Sequence, residues 1–147
     1  MILNFKSGQL VLETLVAIAV TSLVLVGLLA VISRGIKNTD IASQLSLASS
    51  YTEEGLEMAR RERDGADTWN EFKTDFDGDK CLDSKLRWDD CDCSVTSSPN
   101  IGTTFFRCLN FKADGDDKRK VTATVFWEEG GRSHQVQAIT FLTKWSK

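Results

Sequence analysis

The chain has one proline, Pro99, and one histidine, His134, in 147 residues. With no proline before position 99, nothing of that kind breaks a long helix in the first two thirds of the sequence. The single histidine lies on a predicted strand beside a turn, where a surface role is expected, and no serine or cysteine nucleophile motif accompanies it. The chain therefore reads as a non-enzyme with no cofactor. A basic balance is missing too. Residues 38 to 147 hold 15 of the 18 Lys+Arg and 20 of the 21 Asp+Glu, a formal charge of −5. Nucleic-acid surfaces are normally basic, so no nucleic-acid partner is predicted. The small basic clusters Arg60-Arg61-Glu62-Arg63 and Lys118-Arg119-Lys120 read as solvated faces.

Charge of either sign is absent from Thr14 to Ser33. At about 1.5 Å per residue these twenty residues reach across a hydrocarbon core of about 30 Å, so a membrane helix is expected. A Sec-type signal peptide fits less well, because its apolar core is usually about 7 to 15 residues. Glu13 stands at the edge of the run, with Lys6 the only basic residue nearby. A carboxylate at the centre of a membrane helix costs roughly 2.5 to 3.5 kcal/mol, less near an interface, which suggests a use and a partner. The charged flanks do not set the orientation, since Arg34 and Lys37 outnumber Lys6.

Beyond Ser33 the helical signal continues. Ile41, Leu45, Ala48, Leu56 and Ala59 form one stripe, with Thr52 filling its gap; Leu47, Tyr51 and Met58 form a second. Two stripes suggest a helix gripped from two sides, by its own domain and by something else. One long helix from about Leu10 to about Arg63 is expected, with Gly27 and Gly35 its weak points, a Glu57–Arg61 pair supporting its last turns, and Asp64-Gly65 ending it.

Four cysteines, Cys81, Cys91, Cys93 and Cys108, lack the two-residue gap of a zinc knuckle and have no histidine near them, so disulfides in an oxidising compartment are the better reading. Cys91 and Cys93 are too close to pair easily with each other, which leaves each free to reach Cys81 or Cys108. The sequence does not choose between the two connectivities. Around them, residues 65 to 102 read as a solvated loop pinned by the disulfides and anchored by Trp69, Phe72, Phe76 and Trp88. Asp75, Asp77 and Asp79 alternate as in calcium loops, but Gly78 is fourth where an EF-hand loop needs it sixth, so they are a weak calcium candidate and no metal is expected. Residues 103 to 145 read as an antiparallel sheet of three strands in chain order: Thr104 to Phe111, Lys120 to Trp127, and Gln135 to Thr143. Glu129-Gly130-Gly131-Arg132 is the hairpin turn, and Val121, Val125 and Trp127 are expected to cover the helix.

A short leader ending in Gly8, a glutamate as the fifth residue after it, and an apolar helix of about twenty residues together resemble the processing signal of type IV prepilins and pseudopilins. The tail is similar to those of V-type minor pilins and I-type pseudopilins: Thr-Phe-Phe-Arg at 104 to 107, the strand and turn from Val121 to Gly131, and Leu142-Thr-Lys-Trp145. The resemblance implies cleavage by a prepilin peptidase between Gly8 and Gln9, methylation of Gln9, and an assembly role for Glu13. Gln9 and Leu10 stand where most members carry phenylalanine and a small hydroxyl residue, and Ala30 where many major pilins carry proline. These departures point to a minor component.

The implied fold is α+β and pilin-like: a leader at 1–8, a transmembrane and assembly helix at 9–35, its amphipathic continuation at 36–64, and a head at 65–147. The implied partners are other pilin subunits, the prepilin peptidase, the membrane, and a pilus or secretion assembly platform. The head would lie outside the inner membrane and later at the cell surface. The alternatives are a pseudopilin of a type II-like secretion system and a plain membrane-anchored extracellular binding domain.

Overall fold

The structure is a computed structural model that describes residues 5–93 and 99–144. The chain divides into two units, Met1–Ser43 and Gln44–Lys147. The fold is α+β, a long N-terminal helix with a C-terminal antiparallel sheet.

In the first unit every described residue is helical, part of α1 (Phe5–Gly65). The helix starts earlier than the expected Leu10 and runs through Gly27 and Gly35 without a break. It is also one helix long and apolar enough to cross a membrane.

In the second unit the last turns of α1 pack on a five-stranded sheet. Helix α2 (Trp69–Asp75) follows, then strands β1 (Gly78–Leu82), β2 (Trp88–Asp90), β3 (Phe105–Ala113), β4 (Lys118–Glu129) and β5 (Arg132–Thr143). The sheet order is β2-β1-β3-β4-β5, and every neighbouring pair is antiparallel. The three expected strands are present as β3, β4 and β5, and they close through a two-residue turn at Gly130-Gly131. Their φ angles of 58° and 75° suit the left-handed conformation that such a hairpin requires.

The segment read as a loop is built differently. Residues 65 to 102 contain α2 and two strands, so the sheet begins at Gly78 and not at 103. Helix α2 is held by a reciprocal cap. Thr68 Oγ1 accepts from the Glu71 N–H at 3.1 Å, and the Glu71 carboxylate accepts from the Asp67 N–H at 3.0 Å. The aromatic anchors act as expected. Trp69 and Phe72 are buried, Trp69 Nε1 donates to the Asp116 carbonyl at 2.8 Å, and Phe76 meets Trp88 edge-on at 5.1 Å between ring centroids. Burying a ring such as Phe72 stabilises by roughly 1.5 to 3 kcal/mol. Trp145, the last residue of the expected sheet region, lies outside the described residues.

The two stripes of α1 prove to be parts of one arc. Tyr51 precedes Thr52, and Met58 precedes Ala59, by one residue or about 100°, and all four sit against the same domain. Met58 joins Leu56 and Ala59 in the core over Leu109 and Val121, and Tyr51 meets Phe105 edge-on. On that ground Tyr51 and Met58 do not form an opposed face, while Leu45 and Leu47 stay 48% and 46% exposed. Val121, Val125 and Trp127 do face the helix, with Ala123 between them and Ala48 opposite. Glu57 pairs with Arg60, not with Arg61, and Arg60 also reaches across to Thr140 Oγ1 on β5.

Candidate functional site

Gly8, Gln9 and Glu13 all lie on α1 and are exposed. Around them the surface is apolar on every side. Each large aliphatic residue from Leu10 to Ile36 is more than half exposed, the least being Leu28 at 53%. Such a surface is at home in hydrocarbon, where each polar group must find its partner within the protein.

The hydroxyls of this stretch meet that demand locally. Thr14 donates to the Val11 carbonyl at 2.9 Å, Thr21 to Ala17 at 2.7 Å, Ser22 to Ile18 at 2.7 Å and Ser33 to Leu29 at 2.9 Å. A carboxylate has no proton to return to the preceding turn, so Glu13 lacks this option. No hydrogen bond or ion pair among the described side chains takes it up. Arg34, the next basic residue, is about 30 Å further along the helix.

The second unit carries the cysteines. They form two bridges, Cys81–Cys91 and Cys93–Cys108, each with its Cα atoms 5.6 Å apart. This selects one of the two connectivities left open above. Cys81 and Cys108 are directly opposed across β1 and β3, and the turn after β2 brings Cys91 and Cys93 over them. Asp79 positions that turn, accepting from the Cys93 N–H at 3.0 Å and from Asn110 Nδ2 at 2.5 Å.

The calcium candidate is not assembled. Asp77 pairs with Arg119, Asp79 is engaged as above, and Asp75 lies at the rim of a recess beside Phe76 and Trp88. Among the described residues the one group of three close metal-type ligand atoms is Cys81, Cys91 and Cys108, whose sulfurs are in bridges. His134 stacks its ring on Trp127, 5.4 Å between centroids.

One residue of consequence was not singled out in the sequence. Arg107 is fully buried on the helix-facing side of β3. Its guanidinium donates to the carbonyls of Leu82, Asp83 and Tyr51 at 3.2, 3.1 and 3.0 Å and pairs with Glu54 at 2.7 Å. Its own backbone N–H and carbonyl are held by Asn100 at 2.7 and 2.8 Å. One side chain thus joins α1, β1 and the loop after β1. The readable signal was the two-residue period, which puts Arg107 on one face with Phe105, Leu109 and Phe111. Arg119, read above as part of a solvated basic face, is corrected to a buried residue and repeats the pattern on β4. It is buried in line with Val121 and Ala123, pairs with Asp77 and donates to the Lys73 carbonyl at 2.8 Å.

No family model, curated protein or solved structure matches the chain.

Proposed function

We propose that this protein is a structural subunit, a minor one, of a type IV pilus or a related filament such as the pseudopilus of a secretion system. In this reading the precursor waits in the inner membrane, a prepilin peptidase cuts between Gly8 and Gln9, and Gln9 becomes the methylated first residue. The helix then leaves the bilayer for the core of a filament, and the second unit becomes its exposed head.

The observation that carries the reading is Glu13. Four hydroxyls of the apolar stretch are satisfied within the helix, and among the described side chains the carboxylate is not. A plain anchor has no need of it. Cleavage after Gly8 would create a free amine at Gln9, and the amine of a neighbouring subunit supplies the missing countercharge. Inside an apolar core such a pair matters because either charge alone would be stranded, at a cost of about 3 to 5 kcal/mol. The α+β fold and the two disulfides agree with this reading.

Glu13→Ala tests the proposal. Membrane insertion of the variant, followed by carbonate extraction, should match the wild type, while its recovery in sheared filament fractions should fall by an order of magnitude or more, as about 3 kcal/mol implies. Wild-type recovery would remove the assembly role.

A further inference from the structure

The two disulfides are not independent. Cys91 Sγ, bonded to Cys81, lies 3.7 Å from Cys108 Sγ, bonded to Cys93. Thiol–disulfide exchange proceeds by attack of a thiolate on a bonded sulfur, and a sulfur released at 3.7 Å is already close to van der Waals contact with its next target. The first bridge can also be reached from outside. Cys81 and Cys91 line an open recess of about 460 Å³ between Trp88 and Phe106; Cys91 is partly exposed, and Cys81, the sulfur that must be struck to release Cys91, is 7% exposed and borders that recess.

Chain entropy does little to hold the present pairing. The bridges close separations of 10 and 15 residues. The swapped pairs, Cys81–Cys93 and Cys91–Cys108, would close loops each two residues longer. By loop-closure scaling the two arrangements differ by less than about twofold. The choice between them is therefore made by local contacts, chiefly the hold of Asp79 on the Cys93 N–H.

We propose that the four cysteines form a thiol-triggered exchange site, at which an incoming thiolate converts Cys81–Cys91 and Cys93–Cys108 into Cys81–Cys93 and Cys91–Cys108. The incoming thiolate attacks Cys81 Sγ, forms a mixed disulfide there and expels Cys91 as thiolate. Cys91 attacks Cys108 Sγ, forming the Cys91–Cys108 bond and expelling Cys93 as thiolate. Cys93 attacks Cys81 Sγ and expels the original thiolate. Two disulfides enter and two leave, so no oxidant is consumed and the thiol is catalytic. The swap moves the chain after β2 by two residues relative to β1 and β3, which remodels the β2 edge of the sheet without unfolding the core.

The test uses the full chain, purified with its bridges intact and exposed anaerobically to substoichiometric reduced glutathione. Cleavage before Asp92 and after Lys80, Arg87 and Arg107 puts the four cysteines on four peptides, so each pairing is distinguishable by mass. The expected result is the joint appearance of Cys81–Cys93 and Cys91–Cys108 peptides at no less than about a tenth of the total, with no free protein thiol accumulating. Retention of the original pairs alone, or reduction of one bridge with the other untouched, would overturn the proposal. Cys81→Ser supplies a second reading, because it frees Cys91 without added thiol. Cys91–Cys108 should then form with Cys93 released, and a chain holding only Cys93–Cys108 would contradict the exchange.

Discussion

Nη1 of Arg107 lies 2.7 Å from Oε2 of Glu54, and the partners occupy different surroundings: the arginine side chain is wholly buried and the glutamate is 46% exposed. The pair is the point at which the helix is locked to the sheet. Losing the carboxylate leaves a guanidinium with carbonyl partners but no countercharge in the interior. Glu54→Ala is expected to lower stability by about 1 to 3 kcal/mol. Glu57→Ala, which removes an exposed pair with Arg60, should cost under about 1 kcal/mol. Urea unfolding followed by tryptophan fluorescence checks both, and equal effects would mean that Arg107 needs no countercharge.

Gly55 explains how the lock fits. A Cβ at this position would meet Arg107 Cδ at 3.3 Å and Leu109 Cδ1 at 3.4 Å, so the residue marks the close approach of α1 to β3. Gly55→Ala sets a helix-propensity gain of up to about 1 kcal/mol against that tight contact and should be near neutral. Gly55→Val overfills the space and should destabilise by about 1 to 3 kcal/mol. The same measurement on Gly35→Ala, where a Cβ meets open space, is the control and should leave the head unchanged.

The turn between β1 and β2 carries a pH dependence. Asp83 is held below the usual carboxylate range, first by the Arg87 backbone N–H and then by the Arg87 side chain, with Lys85 N–H adding to them. Because the folded value is depressed, its contribution is fully present above the unfolded aspartate value of about 3.9 and disappears as pH falls through the folded value. Amide exchange of Lys85 and Arg87 should therefore stay protected at pH 5 and above and accelerate in the acid range below about 3.9. In Asp83→Asn that acid transition should vanish.

Much of this architecture was legible because it rests on periodicity. The apolar run and the Ala48–Ala59 spacing gave the helix, and the alternation from Val121 to Trp127 gave both a strand and its buried face. What escaped reading was short or settled at a distance. Strand β2 has three residues and two of them are aspartates, so it shows no apolar alternation. Helix α2 has only seven residues, and its one local sign was the Thr68…Glu71 capping pair. The disulfide pairing depends on how the turn at Cys91-Asp92-Cys93 lies over β1 and β3, which spacing does not contain. Arg107 is buried because carbonyls from residues 51, 82 and 83 meet around it. At the other end, Gly8, Gln9 and Glu13 were readable as a pattern, and the satisfied hydroxyls around Glu13 sharpen the question of its partner.

In the proposed function, cleavage after Gly8 turns an anchored precursor into a filament subunit whose new amine meets another copy's Glu13. Intact-mass spectrometry of the protein recovered from its native cells tests it most directly. The account predicts a chain lacking residues 1 to 8 and carrying one added methyl group on Gln9. A chain that keeps Met1 to Gly8, or that is cut elsewhere and bears no methyl group, would contradict it.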